Sequence, residues 1–500
     1  MLSGGGDVMP VRRGRAERGG SRIELEVRVK DFGPVSEGVV KLSPLTVFIG
    51  RNGSGKSYVA TLIYALLNSY SHIPFRLRRF SLDFLYSILF DDSKKLFRLE
   101  KVIDDLINEL DEKGEVEIPL SVLEDTIRGY FDNIGRRLAS NISRAFACPL
   151  EKLTRIGRKF ISLEVTHNSY KVKLRSRKDK LKVTEYPQLD FKVMLRKTDR
   201  LHPVNVSVTE EAISIEIGFQ SKKWVALELA STVLKECVSR MIRKEILQLR
   251  CYYLPAARSG ILQAHKALIR GVIERIPYVG IEELELDIPR LSGTVSDFLS
   301  ALITLPKEKG PFYQLTKEFE RRLVEGEITV KSLEAYRYPE IKYTFKGNEI
   351  PLHMASSAIS ELAPLFLYLE YVVEPESVLI IEEPEAHLHP AAQRILAELL
   401  VRLVREGVYL IITTHSDWLL GQLSNFLLLG KLEASKRQSD KNFLKTDEVS
   451  VYLFDYDEES GGYRILPVEI TDDGISQEEF LKVHENLYEE TIEIQGKLEG

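Results

Sequence analysis

The stretch GRNGSGKS at residues 50–57 constrains the fold more than any other part of the sequence. The apolar run LTVFIG leads into it, which indicates a buried strand, and the run KSYVATLIYALLNS that leaves it has the apolar spacing of a helix. Glycines between a strand and a helix let backbone N–H groups curl around phosphate oxygens at the helix N-terminus. The stretch therefore predicts a phosphate-binding loop within an α/β fold.

Each residue of this loop has an expected role. Lys56 is placed to reach the β- and γ-phosphates of a nucleotide, and Ser57 to hold Mg²⁺. The other residues expected to line the nucleotide are Gly50, Asn52, Gly53 and Gly55. Upstream, the alternation in RIELEVRV at 22–29 predicts a half-buried strand, so an antiparallel β layer precedes the loop.

Length and charge limit the classes of protein to which this chain can belong. The chain has 500 residues, which suggests about three domains. Its net charge of −5 is small for this length, so no global field indicates nucleic acid or a membrane as a partner. No stretch approaches the roughly 20 apolar residues that span a bilayer. Any basic site must therefore be a local patch.

The cysteines and the first residues bear on the compartment. Cys148, Cys237 and Cys251 show no C-x-x-C spacing, so neither a zinc knuckle nor a disulfide framework is supported, and a reducing cytoplasm fits best. Residues 1–20 are rich in glycine and arginine and lack the apolar run of a secretion signal. They are predicted to be a disordered tail.

Two adjacent carboxylates follow a second apolar run. In SVLIIEEPEAHLHP at 377–390, residues 378–381 predict a central parallel strand, with Glu382 and Glu383 at its C-terminal end. Open α/β sheets place ligands at this edge. Glu382 is expected to support Mg²⁺ and Glu383 to polarise an attacking water as general base. The alternative is a strand end with solvated acids, against which the strand, the proline and the later histidine all count.

Two further segments could also contribute to a nucleotide site. VYLIITTHS at 408–416 predicts another strand with His415 at its tip, where it could hydrogen-bond a γ-phosphate or be a satisfied polar group. In MASSAISELAPLFLYLEYV at 354–372, Ser356 or Ser357 precedes an apolar helix. Either serine could cap that helix, with Glu361 giving a capping box. The other interpretation is that this helix start binds the γ-phosphate of a second subunit's ATP.

These segments together resemble the ATP-binding-cassette (ABC) class of ATPases, and within it the ABC-like ATPases related to the overcoming-lysogenization-defect (OLD) type. The resemblance rests on GRNGSGKS, ASSAISELAPL, LIIEEPEAHLHP and ITTHS, and it covers roughly residues 20–70 and 250–430. It implies an α/β fold: an ABC-type P-loop NTPase head, a mixed sheet with helices, interrupted by a large α+β insertion.

The resemblance also implies a role for each motif. GRNGSGKS forms the Walker A loop, and Ser357 lies in the signature segment, where Ala358 stands in place of the glycine that relatives often show. Glu382 takes the place of the usual Walker B aspartate, and Glu383 is the expected catalytic glutamate. PEAHLHP is the D-loop, and His415 is the switch histidine. Walker A and Walker B are expected on neighbouring strands.

The activity implied by this resemblance is hydrolysis of ATP to ADP and phosphate, with ATP and Mg²⁺ bound. Two heads would sandwich the nucleotide, so a homodimer is expected on ATP binding. Its output would be control of an unknown protein partner or of a nucleic-acid transaction, in genome maintenance or defence. A transporter subunit is a weaker alternative, because the large insertion and the lack of an LSGGQ-like string count against it.

One candidate contact with the nucleotide has two interpretations on the sequence alone. In YYLPAARSG at 252–260, a short strand ends at Pro255, and Ser259 is placed to cap the following helix. Relatives have a similar proline and arginine near the nucleotide, so Arg258 could reach a phosphate. A structural turn with a surface arginine is the equal alternative.

The pattern divides the chain into five parts. These are a tail at 1–20, an N-lobe with Walker A at 21–75, a mixed insertion at 76–250, a C-lobe with the other motifs at 251–430, and a C-terminal hairpin and helix at 431–500. No heptad seam persists in the insertion, which argues against a long coiled-coil arm.

A basic segment lies in this insertion. Residues 155–182 hold ten Lys or Arg and two acids, with Phe160 and Tyr170 between them. This composition fits a patch for nucleic acid or an acidic partner. It also fits a solvated hairpin whose lysines protect an edge strand, which we favour slightly.

Two other clusters invite a metal. Asp455 and Asp457 in FDYDEES suggest a metal-dependent nuclease, but no upstream glutamate motif accompanies them, so a hairpin turn is favoured. His387 and His389 lie two apart, but no third ligand is evident, and the D-loop assignment explains them.

Overall fold

The computed structural model describes residues 24–71, 105–106, 108–110, 112–118, 120–167, 170–186, 192–197, 205–208, 212–217, 249–264, 290–333, 338–433 and 442–499. The predicted tail at 1–20 lies outside these residues, as does most of the predicted helical part of the insertion.

The strands are β1 Leu25–Phe32, β2 Val35–Lys41, β3 Leu45–Gly50, β4 Glu115–Ile118, β5 Ser162–His167, β6 Tyr170–Arg177, β7 Lys180–Glu185, β8 Lys192–Lys197, β9 Asn205–Val208, β10 Ala212–Ile217, β11 Cys251–Leu254, β12 Glu327–Leu333, β13 Tyr338–Phe345, β14 Asn348–Pro351, β15 Val378–Glu382, β16 Tyr409–Thr413, β17 Val449–Asp457, β18 Gly462–Val468, β19 Ile470–Thr471 and β20 Gly474–Ile475. The helices are α1 Lys56–Ser71, α2 Leu120–Phe146, α3 Gly293–Ile303, α4 Tyr313–Val324, α5 Ser357–Tyr371, α6 Pro390–Arg405, α7 Asp417–Lys431 and α8 Glu478–Glu499.

One large mixed sheet organises the molecule. Its eleven strands run in the order β11-β15-β16-β3-β17-β18-β2-β1-β5-β6-β7. The strands from β11 to β17 are parallel, whereas β1 pairs antiparallel with both β2 and β5. The predicted α/β class with a mixed sheet and an antiparallel layer is confirmed.

The strand order corrects one expectation. β16 lies between β3, which leads into the predicted Walker A loop, and β15, which ends in the predicted Walker B acids, and it pairs with both. The prediction that the two motifs lie on neighbouring strands is therefore wrong. The chain passes from β15 through α6 into β16, and this crossover lays β16 beside β15 on the side of β3. The motif sequences carry no information on this order.

The last strands belong to the same sheet. β17 pairs with β18 as the predicted hairpin, and β17 also pairs in parallel with β3, opposite Gly50 at Phe454. A Cβ on Gly50 would lie 2.6 Å from the carbonyl oxygen of Phe454. The hairpin is therefore part of the wall behind the loop.

Apolar side chains fill both faces of the parallel strands. On one face, Ile380 and Ile411 pack with residues of α1 and α2. On the other, Ile381 and Ile412 pack with residues of α3 to α7. Burial on both faces explains why β15 and β16 are nearly continuous apolar runs rather than alternating ones. Among the described residues, no helix is long and apolar enough to cross a membrane.

The predicted insertion contributes to two sheets. Strands β5, β6 and β7 extend the large sheet beyond β1. Strands β4, β8, β10 and β9 form a separate four-stranded sheet. The β-rich pattern predicted between about 160 and 218 is confirmed by these strands.

Candidate functional site

The loop at 50–57 joins β3 to α1 in a backbone conformation that its glycines permit. Gly50, Gly53 and Gly55 have φ angles of 134°, 76° and 103°, all in the region that side chains disfavour. A Cβ on Gly55 would lie 2.7 Å from a methyl group of Val35. A Cβ on Gly53 would meet nothing within 4 Å, so its side of the loop is open.

Lys56 lies folded against this loop. Its Nζ donates hydrogen bonds to the carbonyl oxygens of Gly50 and Arg51, both at 2.8 Å. Burial lowers the pKa of Lys56 to about 8, and the nearby carboxylates of Glu383 and Glu385 only partly offset this effect. Ser57 and Asn52 are exposed beside it.

The hydroxyl of Ser54 lies inside the same loop. It is buried and has no hydrogen-bond partner. Buried polar groups are usually paired, so this hydroxyl is an open donor within a loop suited to anions.

Glu382 ends β15 with its carboxylate held from the side of β11. Its Oε1 accepts a hydrogen bond of 2.6 Å from the hydroxyl of Tyr253, and its Oε2 accepts one of 3.0 Å from the N–H of Ala256. The residue is only 9% exposed. These two donors fix the orientation of the carboxylate at the edge of the sheet.

Glu383 turns away from the strand. Its φ of 43° is unusual for a residue with a side chain, and its N–H donates to the carbonyl oxygen of Thr413 at 2.9 Å. This turn leaves the side chain 44% exposed, with its Oε1 at 4.0 Å from Nε2 of His415. Burial, and secondarily the charge of Lys56, lower the pKa of His415, so its imidazole is neutral at pH 7. The structure thus brings Lys56, Glu382, Glu383 and His415 together.

Glu385 belongs to the same cluster, although the motifs predicted no individual role for it. Its Oε1 accepts hydrogen bonds from the hydroxyl of Thr414 at 2.6 Å and from the N–H of His415 at 2.9 Å. Its Oε2 is buried without a hydrogen-bond partner, and burial raises the pKa of the carboxyl. The sequence sign that could have indicated this residue is that Glu385 is the third acid in EEPE. Its bonds fix the backbone that carries His415.

A comparison with known protein families also indicates an ATPase. The family described as AAA ATPase domain matches residues 25–420. The chain belongs to this family. No curated protein matches it.

Three solved structures are similar to this AAA ATPase domain protein, each at 11% identity. An Smc head bound to the C-winged helix domain of ScpA covers 90% of this chain and 98% of its own, with a TM-score of 0.37. An Smc head with an extended coiled coil, bound to the C-terminal domain of ScpA derived from Pyrococcus furiosus, covers 93% and 99% at 0.37. The SMC head domain from Thermotoga maritima covers 90% and 100% at 0.32.

In this ATPase domain, Arg258 lies neither at a phosphate-binding position nor at the surface, which were the two predictions. It is 1% exposed, and its guanidinium donates to the carbonyl oxygens of Glu361, Pro255, Glu382 and Glu383 at 3.1, 3.3, 2.8 and 3.3 Å. Both the phosphate contact and the surface arginine are therefore wrong. Arg258 instead braces the backbone that carries the two candidate acids, a role that requires a contact across 124 residues.

Glu361 is the partner of that arginine. Its carboxylate accepts hydrogen bonds from the N–H groups of Arg258 and Ser259, both at 3.1 Å, and ion-pairs with the guanidinium at 3.3 Å. Glu361 thus caps the helix that starts at Arg258. The predicted capping box within α5 is wrong, as is the cap from Ser259, whose hydroxyl donates to Glu361.

The start of α5 is exposed. Ser356 is its N-cap, and the Oγ accepts a hydrogen bond of 3.3 Å from the N–H of Ile359. The capping role of Ser356 is confirmed. Ser357, the first helical residue, is also exposed. Contact between this helix start and a second subunit's ATP stays a prediction.

Asp455, Asp457 and His389, which were candidate metal ligands, accept hydrogen bonds from nearby backbone N–H groups. Asp457 accepts from the N–H of Ser460 at 3.1 Å and pairs with Arg464 at 3.1 Å, which stabilises the β17–β18 turn. Asp455 accepts from the N–H of Tyr456. His389 caps α6 through its Nδ1. Across the part of the chain that the structure describes, no group of three or more His, Cys, Asp or Glu could hold a metal.

Proposed function

We propose that this chain binds ATP and hydrolyses it to ADP and phosphate at the edge formed by β3, β16 and β15. The observation that carries the proposal is the meeting of three motifs. Lys56 lies in the loop, Glu383 faces His415 at 4.0 Å, and both the glutamate and the histidine interact electrostatically with Lys56. This is the arrangement expected of an ABC-like ATPase, and the motif strings favour the OLD-related type within it.

The loop suits the phosphates of the nucleotide. Its three positive-φ glycines leave backbone N–H groups free to face an anion. Lys56 holds two carbonyl oxygens that phosphate oxygens would replace, because an ammonium bonds more strongly to a charged acceptor. The buried hydroxyl of Ser54 supplies a further donor.

Ser57 and Glu382 are the residues that would hold Mg²⁺. Ser57 is an exposed residue in the first turn of α1. Each oxygen of the Glu382 carboxylate accepts one hydrogen bond and keeps a second acceptor position. Mg²⁺ in nucleotide sites is held by few protein ligands and by phosphates, so a larger acid cluster is not required. When bound, the ion neutralises charge on the β- and γ-phosphates.

Glu383 and His415 would act on water and the γ-phosphate. The exposed carboxylate of Glu383 is free to accept a proton from, and orient, an attacking water. The neutral imidazole of His415 would donate one hydrogen bond to a phosphate oxygen. Glu385 holds the backbone of His415 in place for that contact.

The exposed start of α5 supports a switch between monomer and dimer. Ser356 and Ser357 present a helix N-terminus to solvent, and such an end attracts a phosphate. A second copy's ATP would bind there, so ATP would join two heads and hydrolysis would release them. Ala358 in place of glycine would weaken this contact. The switch would act in the cytoplasm on a protein partner or nucleic acid.

Replacing one residue tests the site. Glu383→Gln keeps the size of the side chain and removes the base, so we expect steady ATP turnover to fall by about 100-fold or more. ATP binding should persist, and light scattering after gel filtration should show a dimer in Mg-ATP. Turnover unchanged from the wild type would refute the assignment.

Two further variants control this test. Lys56→Ala should lose ATP binding and the dimer together, because the phosphate contact is gone. Glu458→Gln changes the same functional group at an exposed turn residue and should leave both readouts unchanged.

A further inference from the structure

The outer surface of strands β6 and β7, which follow β5 in the large sheet, carries positive charge on alternate residues. Leu163, Leu174 and Leu181 are buried on the inner side, where α2 packs against β7. The alternate residues therefore point outward. They include six cations, which we call the basic face: Lys171, Lys173, Arg175, Arg177, Lys180 and Lys182.

Only part of this charge is neutralised within the described residues. Lys171 pairs with Glu164 at 2.7 Å, and Lys173 pairs with Glu185. No carboxylate of the described chain pairs with the other four cations, and one of these, Arg175, stacks on the ring of Phe160 at 3.9 Å. Four positive charges thus lie close together without a carboxylate partner among the described residues, in a chain whose net charge is −5.

The strand register makes this arrangement costly. Arg175 lies directly opposite Lys182, and Arg177 lies directly opposite Lys180. Like charges directly opposite each other destabilise an antiparallel pair. The protection of an edge strand does not require them, because β7 is the edge and β6 lies one strand inside it. An external polyanion would relieve both repulsions.

The chemistry of the face indicates which polyanion it fits. No apolar residue stands among its outward positions, and Phe160 beside it is covered by Arg175. A protein partner would need an apolar centre with aromatic anchors, and single strands would need open aromatic platforms. A duplex backbone needs only regularly spaced positive charge.

We propose that the basic face binds the phosphate backbone of double-stranded nucleic acid without reading its sequence. Alternate residues of β6 place a charge about every 7 Å, on a surface two strands wide. The face is far along the large sheet from β3, so this proposal goes beyond ATP hydrolysis, and its failure would leave the ATP site untouched.

The test measures binding of the full chain to a labelled DNA duplex of about 30 base pairs while the salt concentration is varied. The triple variant Arg177→Gln, Lys180→Gln, Lys182→Gln removes three unpaired cations. We expect its affinity at low salt to fall by about tenfold or more, and the slope of log K against log salt to become shallower by about 2 to 3.

A matched triple variant removes the same charge from scattered exposed positions: Arg290→Gln, Lys307→Gln and Lys482→Gln. Its duplex affinity should stay within about twofold of the wild type, and ATP turnover should be unchanged in both triples. The face variant should fold, because it removes two repulsive cross-strand pairs, and its melting temperature should not fall. Lys180→Gln alone should give a smaller change in the same direction.

Several results would overturn the proposal. Equal loss of affinity in the two triples would assign binding to overall charge. Displacement of the duplex by polyglutamate at equal charge concentration would indicate an acidic protein instead. Tighter binding of single strands than of duplex would exclude a backbone site of this kind. A parallel titration with an RNA duplex compares the two sources of the same backbone chemistry. A difference in affinity between the DNA and RNA duplexes would show which of them the basic face prefers, because the two helices differ in shape.

Discussion

Lys56 lies between two opposed influences, and the balance sets its protonation. Burial lowers its pKa to about 8, while Glu383, Glu385 and Glu382 favour the charged form. Phosphates favour the ammonium further, so nucleotide binding must raise this pKa. Above pH 8, the free protein has lost the proton that the bound state needs.

This linkage gives a prediction for pH. The affinity for a non-hydrolysable ATP analogue should be constant below the pKa of Lys56 and should weaken above it, approaching tenfold per pH unit. Calorimetry between about pH 6.5 and 9.5 in buffers of different ionisation enthalpy would show proton uptake on binding. Lys56→Arg keeps its charge over this range and should show no such dependence. A flat profile in the wild type would contradict the proton linkage.

Glu385 illustrates a role that the sequence did not reveal. Its two hydrogen bonds reach Thr414 and His415, and these contacts depend on β16 lying beside β15. Glu385→Ala should leave two donors unpaired, which costs about 1–3 kcal/mol each where they are buried. We expect kcat to fall more than KM changes, with a lower melting temperature.

The control for that variant is conservative. Glu385→Gln keeps an acceptor oxygen and should recover most of kcat. If the alanine variant turns over ATP at the wild-type rate, then Glu385 does not position His415.

At the scale of elements, the clasp between Arg258 and Glu361 joins the helix start at 258 to α5 and to the end of β15. Glu361→Ala would leave a buried guanidinium without its carboxylate and remove the cap of that helix. Breaking a buried pair from one side costs about 3–5 kcal/mol. Urea unfolding should show a loss of this size.

An exposed pair gives the comparison. Lys331 and Glu349 lie 2.6 Å apart but are both exposed, and Glu349→Ala should cost less than about 1 kcal/mol. The double variant Arg258→Met, Glu361→Leu should recover part of the loss of Glu361→Ala, because no lone charge remains buried. If Glu361→Ala and Glu349→Ala lower the free energy of unfolding by the same amount, then the clasp between Arg258 and Glu361 is not a stabilising pair.

The sequence predicted these elements better than their arrangement. Runs such as LTVFIG and SVLII are buried strands because their apolar residues are covered on both faces, and periodicity reports that directly. Glu361 and Arg258 are 103 residues apart, and nothing local marks them as partners. The motifs predicted Lys56, Glu382, Glu383 and His415 as site residues, and the structure brings these four together. The buried residues that hold them became evident only from the fold.

At the scale of the whole molecule, the large sheet is joined through its last strands. β17 and β18 lie between β3 and β2, and Ser36 donates a hydrogen bond of 3.0 Å to the carbonyl oxygen of Tyr463. At Gly38, a Cβ would lie 2.3 Å from the Cβ of Ile465, so the two strands are in close contact. The sequence pattern predicted a hairpin there but could not give its neighbours, because strand alternation does not specify pairing partners.

Truncation tests this arrangement. A chain that ends at residue 445 contains the whole matched family region, 25–420, but lacks β17 and β18. We expect it to aggregate and to bind no ATP, because β3 and β2 become open edges. A chain that ends at 477 lacks only α8, whose residues are mostly exposed, and should fold and bind ATP. Nucleotide binding by the shorter chain would contradict this account.

The position of β17 also affects when the sheet can form during synthesis of the chain. During synthesis, the loop at 50–57 leaves the ribosome long before Phe454, which lies opposite Gly50 in the finished sheet. At about 5–20 residues per second, translation of the intervening stretch takes roughly 20–80 s. Over that interval the nascent chain carries an ATP motif without the strand behind it, and β2 and β3 expose unpaired edges. Nucleotide binding would then begin only after β17 has been synthesised, and chaperones would have their longest engagement with the N-terminal strands.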